Sequence, residues 1–218
     1  MQYTETCQQF LCHLWQWQSL LVGALATFAA AATIWYMRKQ IAQNDHTRSD
    51  DLARKLKAYR ARMNPALSNL CAYNEKCMKF LLSEADSREL PTEPTDEVTT
   101  ISAAIEFVDD ESAEAMAAMV SHYQVHRARL EGFLEENRRY IPTDRYSVEM
   151  VYTGAKLQSQ IVNMFDYARQ EEERVPTTPP SQAQMMSGLK GAVGLREFSA
   201  IKEKLAAVIE LIQNRHPE

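Results

Sequence analysis

The sequence predicts an all-α protein with one N-terminal transmembrane helix, a juxtamembrane helix and a cytoplasmic bundle of about four to five helices. Three observations lead to this fold class. Residues 6–37 contain no Asp, Glu, Lys or Arg. Farther along the chain, apolar residues recur at the three- and four-residue spacing of helices rather than in alternation. The 218 residues include only six glycines, and runs of β-branched residues are scarce.

The transmembrane helix is predicted over residues 17–37, after a short external tail at 1–16. Residues 19–37 read SLLVGALATFAAAATIWYM. A bilayer core about 30 Å thick requires about 20 helical residues, so this run is long enough to cross it. Aromatic residues, which favour headgroup depth, stand at both ends: Trp15 and Trp17, then Trp35 and Tyr36. The alternative is a buried helix of a soluble core.

The charges around this segment predict that the N-terminus lies outside and the C-terminal domain in the cytoplasm. Residues 1–37 contain no Lys or Arg, whereas residues 38–62 contain eight basic and three acidic side chains. Basic residues that flank a span remain on the cytoplasmic side. A cleaved signal peptide would have its positive charges before the apolar stretch, which is the reverse order.

The cytoplasmic part is predicted to be basic near the bilayer and acidic beyond it. Residues 38–80 carry ten basic and four acidic side chains, and residues 81–218 carry fourteen basic and twenty-four acidic ones. We expect a basic juxtamembrane or stalk helix at 38–63, attracted to anionic lipid, and an acidic helical domain at 64–218. Topology and lipid explain the basic stretch, so no nucleic-acid partner is predicted.

Helix boundaries follow from capping and breaking residues. Asn64 and Pro65 suit an N-cap and a first helical position, which predicts a new helix at about 65–83. Linkers containing proline are predicted near 84–96 and 175–182. The remaining helices are predicted at about 96–107, from Asp109 or Asp110 to 137, from Asp144 or Ser147 to 174, and at 196–215.

No catalytic, cofactor-binding or metal-binding residue is predicted, and the chain is predicted not to be an enzyme. His122 and His126 are four residues apart, a spacing that can place two imidazoles on one metal. However, the HExxH pattern that supplies a general base is absent, which favours a structural histidine pair.

Three other groups of residues receive structural interpretations. The acidic residues Glu106, Asp109, Asp110 and Glu111 are predicted to cap a helix start, and residues 171–173 to lie at a fraying helix end. The glycines of GLKGAVG at 188–194 follow no predicted strand, so a hinge or broken helix is favoured over a phosphate-binding loop. Cys7 and Cys12 are external, where a disulfide is permitted, and Cys71 and Cys77 are cytoplasmic. Inert thiols are favoured over a functional pair at 7 and 12.

Small residues within the span suggest self-association. Gly23, Thr27 and Ala31 recur every fourth residue, and small residues on one face allow two membrane helices to approach closely. The alternative is that alanine is simply common in membrane helices. A homo-oligomer through this face is therefore expected.

The N-terminal third resembles a group of uncharacterised bacterial single-pass inner-membrane proteins. The features that carry the resemblance are the Ala/Gly-rich span, RKQIAQ at 38–43 and ALSNLCAY at 66–73, with FDYARQE at 165–171. The resemblance implies a bacterial inner-membrane location and assigns no reaction.

The favoured function is a non-enzymatic, membrane-tethered interaction or scaffold module with unknown protein partners. A membrane signalling or sensory accessory protein is the alternative. A metal-dependent enzyme that uses His122 and His126, and a phage-type membrane or lysis protein with the opposite topology, remain as further candidates.

Overall fold

The computed structural model describes residues 3–82, 89–136 and 138–217, and all of their side chains except those of residues 3–16 and 19. All regular structure in these ranges is helical, which confirms the all-α prediction. The elements are α1 (Tyr3–Leu82), α2 (Thr95–Ala104), the 3-10 helix η1 (Ile105–Phe107), α3 (Asp110–Glu135), α4 (Arg145–Asn163), α5 (Phe165–Ala168), α6 (Gln182–Val193), α7 (Leu195–Ile201) and α8 (Ala206–Arg215).

The chain divides into two compact units, Met1–Leu52 and Ala53–Glu218. The second unit begins at Ala53, within the stretch 38–63 that the sequence predicts to be a juxtamembrane helix. Within the first unit, the described side chains of residues 17–50 are all exposed. The helix that contains them includes a segment long and apolar enough to cross a membrane, by length and composition.

The core of the second unit is built around α4. This helix packs against α3, α6 and α8, and it also contacts the 53–82 part of α1 through Asn74 and Met78. Its fully buried apolar side chains are Met150, Val151, Ala155, Leu157 and Ile161. Its buried residues cover more than half of its circumference, with Lys156, Gln160 and Asn163 on the remaining face, so α4 is stable only when other helices pack against it.

The predicted break at Asn64 and Pro65 is wrong, because α1 continues through Pro65 to Leu82. Proline removes one backbone hydrogen bond and clashes with the preceding turn, at a cost of about 3 kcal/mol. Met63, Ala66 and Leu67 on either side of it are buried in the core. Burial of these side chains offsets the cost of the proline and keeps the chain helical.

The helix predicted from Asp144 to 174 begins where expected but ends sooner. Asp144 caps α4 by accepting a hydrogen bond from the Ser147 backbone N–H at 3.1 Å. The helix stops at Asn163, and the short α5 is closed by Gln170, which has a left-handed φ of 66°. Residues 171–173, predicted to lie at the helix end, therefore follow that end, in irregular structure.

The region from 181 to 215 differs most from the prediction. Residues 182–193 form α6, which begins with a capping box between Ser181 and Gln184. The helix breaks directly after residue 193, at Gly194, which has a φ of 91°. The predicted single helix at 196–215 is two helices, α7 and α8, which are separated by a turn at residues 202–205.

The shorter helices and the linkers agree closely with the sequence. The predicted helix at 96–107 corresponds to α2 and η1, and Asp109 caps α3 as expected. Residues 89–94 and 176–181 are non-helical, as predicted for the linkers, and residues 83–88 lie outside the described ranges.

Candidate functional site

A long exposed apolar surface lies on α1 between Trp17 and Met37. None of the side chains in its most apolar window is buried. The exposed fractions of the large residues range from 55% at Ile34 to 77% at Phe28. The full set is Trp17, Leu20, Leu21, Val22, Leu25, Phe28, Ile34, Trp35, Tyr36 and Met37. A contiguous apolar surface of this size indicates a membrane or a partner.

The polar groups inside this surface are satisfied by the helix itself. The hydroxyl of Thr27 donates to the carbonyl of Gly23, and that of Thr33 to the carbonyl of Ala29, each at 2.8 Å. Such internal bonds are what a segment in hydrocarbon requires, because no water is available there. At the end of the run, the Lys39 ammonium lies 5.7 Å from the centre of the Trp35 ring.

The predicted pairing residues Gly23, Thr27 and Ala31 are exposed along this surface. A methyl group added at Gly23 would meet nothing within 4 Å. The side chains of Cys7, Cys12 and Trp15 lie outside the described part of the chain.

His122 and His126 are not brought to a common site. The half-buried His122 contacts Gln160 and Lys156 on α4, whereas the buried His126 contacts the Thr153 hydroxyl at 3.2 Å. Burial lowers the pKa of His126 to about 4, and the charge of Arg129 adds to this shift. Among the described residues, no three His, Cys, Asp or Glu side chains come together as metal ligands.

A cleft of about 250 Å³ lies between α3, α4, residues 175–180 and His216. Its polar wall on α4 consists of Lys156, Gln160 and Asn163. These residues are spaced by four and three positions and therefore share one face of the helix. The sequence shows this shared polar face through the spacing of the three residues. It does not show that residues 175–180 lie against that face and close the cleft.

Hydrogen bonds to two cleft residues fix the tautomer of His122. Its Nδ1 lies 2.8 Å from Gln160 Oε1 and must donate, because a carbonyl oxygen can only accept. Its Nε2 then accepts from the Lys156 ammonium at 3.4 Å. Burial, supported by the charge of Lys156 and opposed by the bond to Gln160, lowers the pKa of His122. The imidazole is therefore held neutral.

A second polar group lies buried where α1, α4 and α6 meet. The Asn74 amide donates to the Gly154 carbonyl at 3.0 Å and to Gln158 Oε1 at 2.8 Å. Asn74 Oδ1, Ser159 Oγ and His126 Nε2 are buried without a hydrogen-bond partner among the described residues. This group fixes the packing of the helices.

The remaining predicted residues have structural roles. Asp109 accepts from the backbone N–H and the hydroxyl of Ser112, at 3.1 and 2.7 Å. Burial raises the pKa of Asp109, but these hydrogen bonds outweigh it and lower the pKa overall. Cys71 and Cys77 are free thiols, and burial raises the pKa of each to about 11, so both are protonated at neutral pH.

Comparison with protein-family models, with curated proteins and with solved structures finds no match to this chain.

Proposed function

We propose that the protein is a non-enzymatic, single-pass membrane protein that tethers a helical bundle, acting as an interaction or scaffold module, to the cytoplasmic face of a bacterial inner membrane. The observation that carries this proposal is the exposed apolar surface of α1 between Trp17 and Met37. Burying a large apolar side chain is worth about 1.5–3 kcal/mol. The ten residues of that surface therefore favour transfer to lipid strongly.

The charges next to this surface support the proposed orientation. The first basic residues, Arg38 and Lys39, follow the apolar run directly, and residues 38–50 are exposed. Each Lys or Arg near an anionic leaflet contributes about 1 kcal/mol of attraction. The apolar run and the basic stretch would therefore act together as one anchor.

Membrane fractionation of two chains tests the anchor. The full-length protein should stay with the membranes after an alkaline carbonate wash, and a fragment of residues 38–218 should be soluble and helical by circular dichroism. A reporter fused to the C-terminus should be active only in its cytoplasmic form. Release of the full-length protein by carbonate, or a reporter active only outside the cytoplasm, would refute the proposal.

The interaction role requires a defined partner. In vivo cross-linking of the full-length protein, followed by mass spectrometry, should recover the same partner from membranes repeatedly. The matched control is the soluble fragment of residues 38–218, expressed at the same level. Recovery of only those proteins that any abundant membrane protein captures would count against a scaffold.

We further propose that two copies pair through the face formed by Gly23, Thr27 and Ala31. A Gly23→Ile substitution should reduce dimerisation in a membrane two-hybrid assay, because its side chain would separate the two backbones. Ala29→Ile is the matched control, since residue 29 lies on the opposite side of the helix. Equal loss with both variants, or no dimer signal from the unchanged chain, would remove this face as the contact.

A further inference from the structure

The cleft between α3, α4 and residues 175–180 has a chemistry that the membrane anchor does not use. Lys156 lies in its wall, and no carboxylate forms an ion pair with this ammonium among the described residues. The ammonium has three donors, and only one of them is directed at His122 Nε2. The other two remain for a ligand.

The surroundings of Lys156 make its positive charge costly. Burial and the nearby charge of Arg215 lower the pKa of Lys156, so a neutralising anion would relieve the cost of its charge. The neutral imidazole of His122 adds no negative charge. The carboxylate that lines the cleft belongs to Glu114, an exposed residue of α3.

Other groups in the cleft can donate hydrogen bonds to an oxyanion. The side chain of Asn163 carries amide donors, and Thr177 and Thr178 carry hydroxyl groups. Val175 is buried, and its backbone N–H donates to the Ser112 hydroxyl at 3.0 Å. This bond fixes the start of residues 175–180 against α3, so the segment that contains Thr177 and Thr178 is held in place.

We propose that this cleft binds a small oxyanion, a phosphate or carboxylate group, with the Lys156 ammonium as its principal donor. A volume of about 250 Å³ is just below the roughly 300–1,000 Å³ of typical ligand pockets. The ligand is therefore a small anion or the anionic group of a larger molecule that extends past the exposed residues 176–179. The assignment does not depend on the membrane anchor, so either proposal can fail alone.

Isothermal titration calorimetry of the full-length protein in uncharged detergent, at constant ionic strength, tests this assignment. The probes are inorganic phosphate, acetate and glycerol 1-phosphate, which separate free phosphate, a carboxylate and a lipid-type phosphate monoester. At least one probe should bind in a saturable manner. Lys156→Met should weaken that binding tenfold or more, and Lys156→Arg should retain most of it.

The matched control is Lys202→Met, because Lys202 is an exposed lysine outside the cleft. This variant should bind like the unchanged protein. Asn163→Asp gives a second test within the cleft, since it replaces an amide donor by a negative charge and should also weaken binding tenfold or more. The assignment is overturned if none of the probes binds, or if Lys156→Met and Asn163→Asp bind as tightly as Lys202→Met.

Discussion

The close packing of α6 on α4 depends on Gly188, and a single methyl group tests it. A Cβ built at Gly188 would lie 2.4 Å from the carbonyl oxygen of Ala155 and 3.1 Å from the backbone nitrogen of Ser159. Both obstacles are backbone atoms of α4, so no side-chain rotation can remove the clash. Gly188→Ala must therefore push the two helices apart.

The expected loss of stability follows from two opposing effects. Overpacking a well-packed core costs about 1–3 kcal/mol, and separating the helices also weakens the burial of Met185, Leu189 and Ala192, which are fully buried. Replacing glycine by alanine within a helix returns about 1 kcal/mol. We expect a net decrease of about 2 kcal/mol in the free energy of unfolding.

Two other helical glycines provide matched controls. At Gly132 the added methyl would have only the Tyr146 hydroxyl as a neighbour, at 4.0 Å, so Gly132→Ala should stabilise the protein by about 0.5–1 kcal/mol. At Gly154 the closest obstacle is the flexible Met78 side chain, with its sulfur 2.7 Å away. Gly154→Ala should therefore cost less than Gly188→Ala.

Urea unfolding of the full-length variants in detergent, followed by circular dichroism at 222 nm, gives the free energy of unfolding of each of the three variants. Gly132→Ala should be the most stable of the three, Gly154→Ala should be less stable, and Gly188→Ala should be the least stable. A Gly188→Ala protein as stable as Gly132→Ala would refute the close contact between α6 and α4.

Three further predictions concern pH and helix ends. Because the pKa of His126 is about 4 when folded and 6.5 in the reference state, its contribution to stability is complete above pH 6.5. This contribution to the free energy of unfolding falls by about 3 kcal/mol as the pH drops to 4. Urea unfolding at both pH values should therefore show a smaller loss of stability for His126→Gln than for the unchanged protein. Gln170→Gly should raise the free energy of unfolding by about 0.5–1 kcal/mol, by removing a left-handed non-glycine residue; an unchanged or lower urea midpoint would contradict it. Asp109→Ala should lower the free energy of unfolding at pH 7 by about 1 kcal/mol, which a lower melting temperature would show. Asp109→Asn should retain most of the cap and of the stability.

The sequence predicted those elements whose ends are set by local chemistry. Asp109 and Asp144 each precede a serine three residues later, and each carboxylate accepts from that serine's backbone N–H. The unbroken apolar run of α1 was equally readable, since a long uncharged helix needs no information from the rest of the chain. Local signals of this kind do not require knowledge of the fold.

Where the prediction failed, tertiary packing outweighed local preference. Pro65 is a strong local reason to end a helix, but its neighbours Met63 and Leu67 are fully buried and hold the helix together. The glycines of α6 led to the same kind of error. Gly188 and Gly191 weaken a helix in isolation, and the advantage of Gly188 exists only when the backbone of α4 lies against it.

The same reasoning explains why the cleft could not be read from the sequence. Lys156, Gln160 and Asn163 have the spacing of any polar stripe on a helix, and such stripes usually face solvent. The cleft exists because residues 175–180 lie over that stripe. The bond from the Val175 N–H to the Ser112 hydroxyl fixes where those residues begin, and the same hydroxyl donates to Asp109, the N-cap of α3. A change that breaks this bond, such as Ser112→Ala, should therefore weaken binding of the oxyanion probes even though residue 112 does not line the cleft. Ser112→Ala that weakens the cap but leaves binding unchanged would show that the loop is positioned by other contacts.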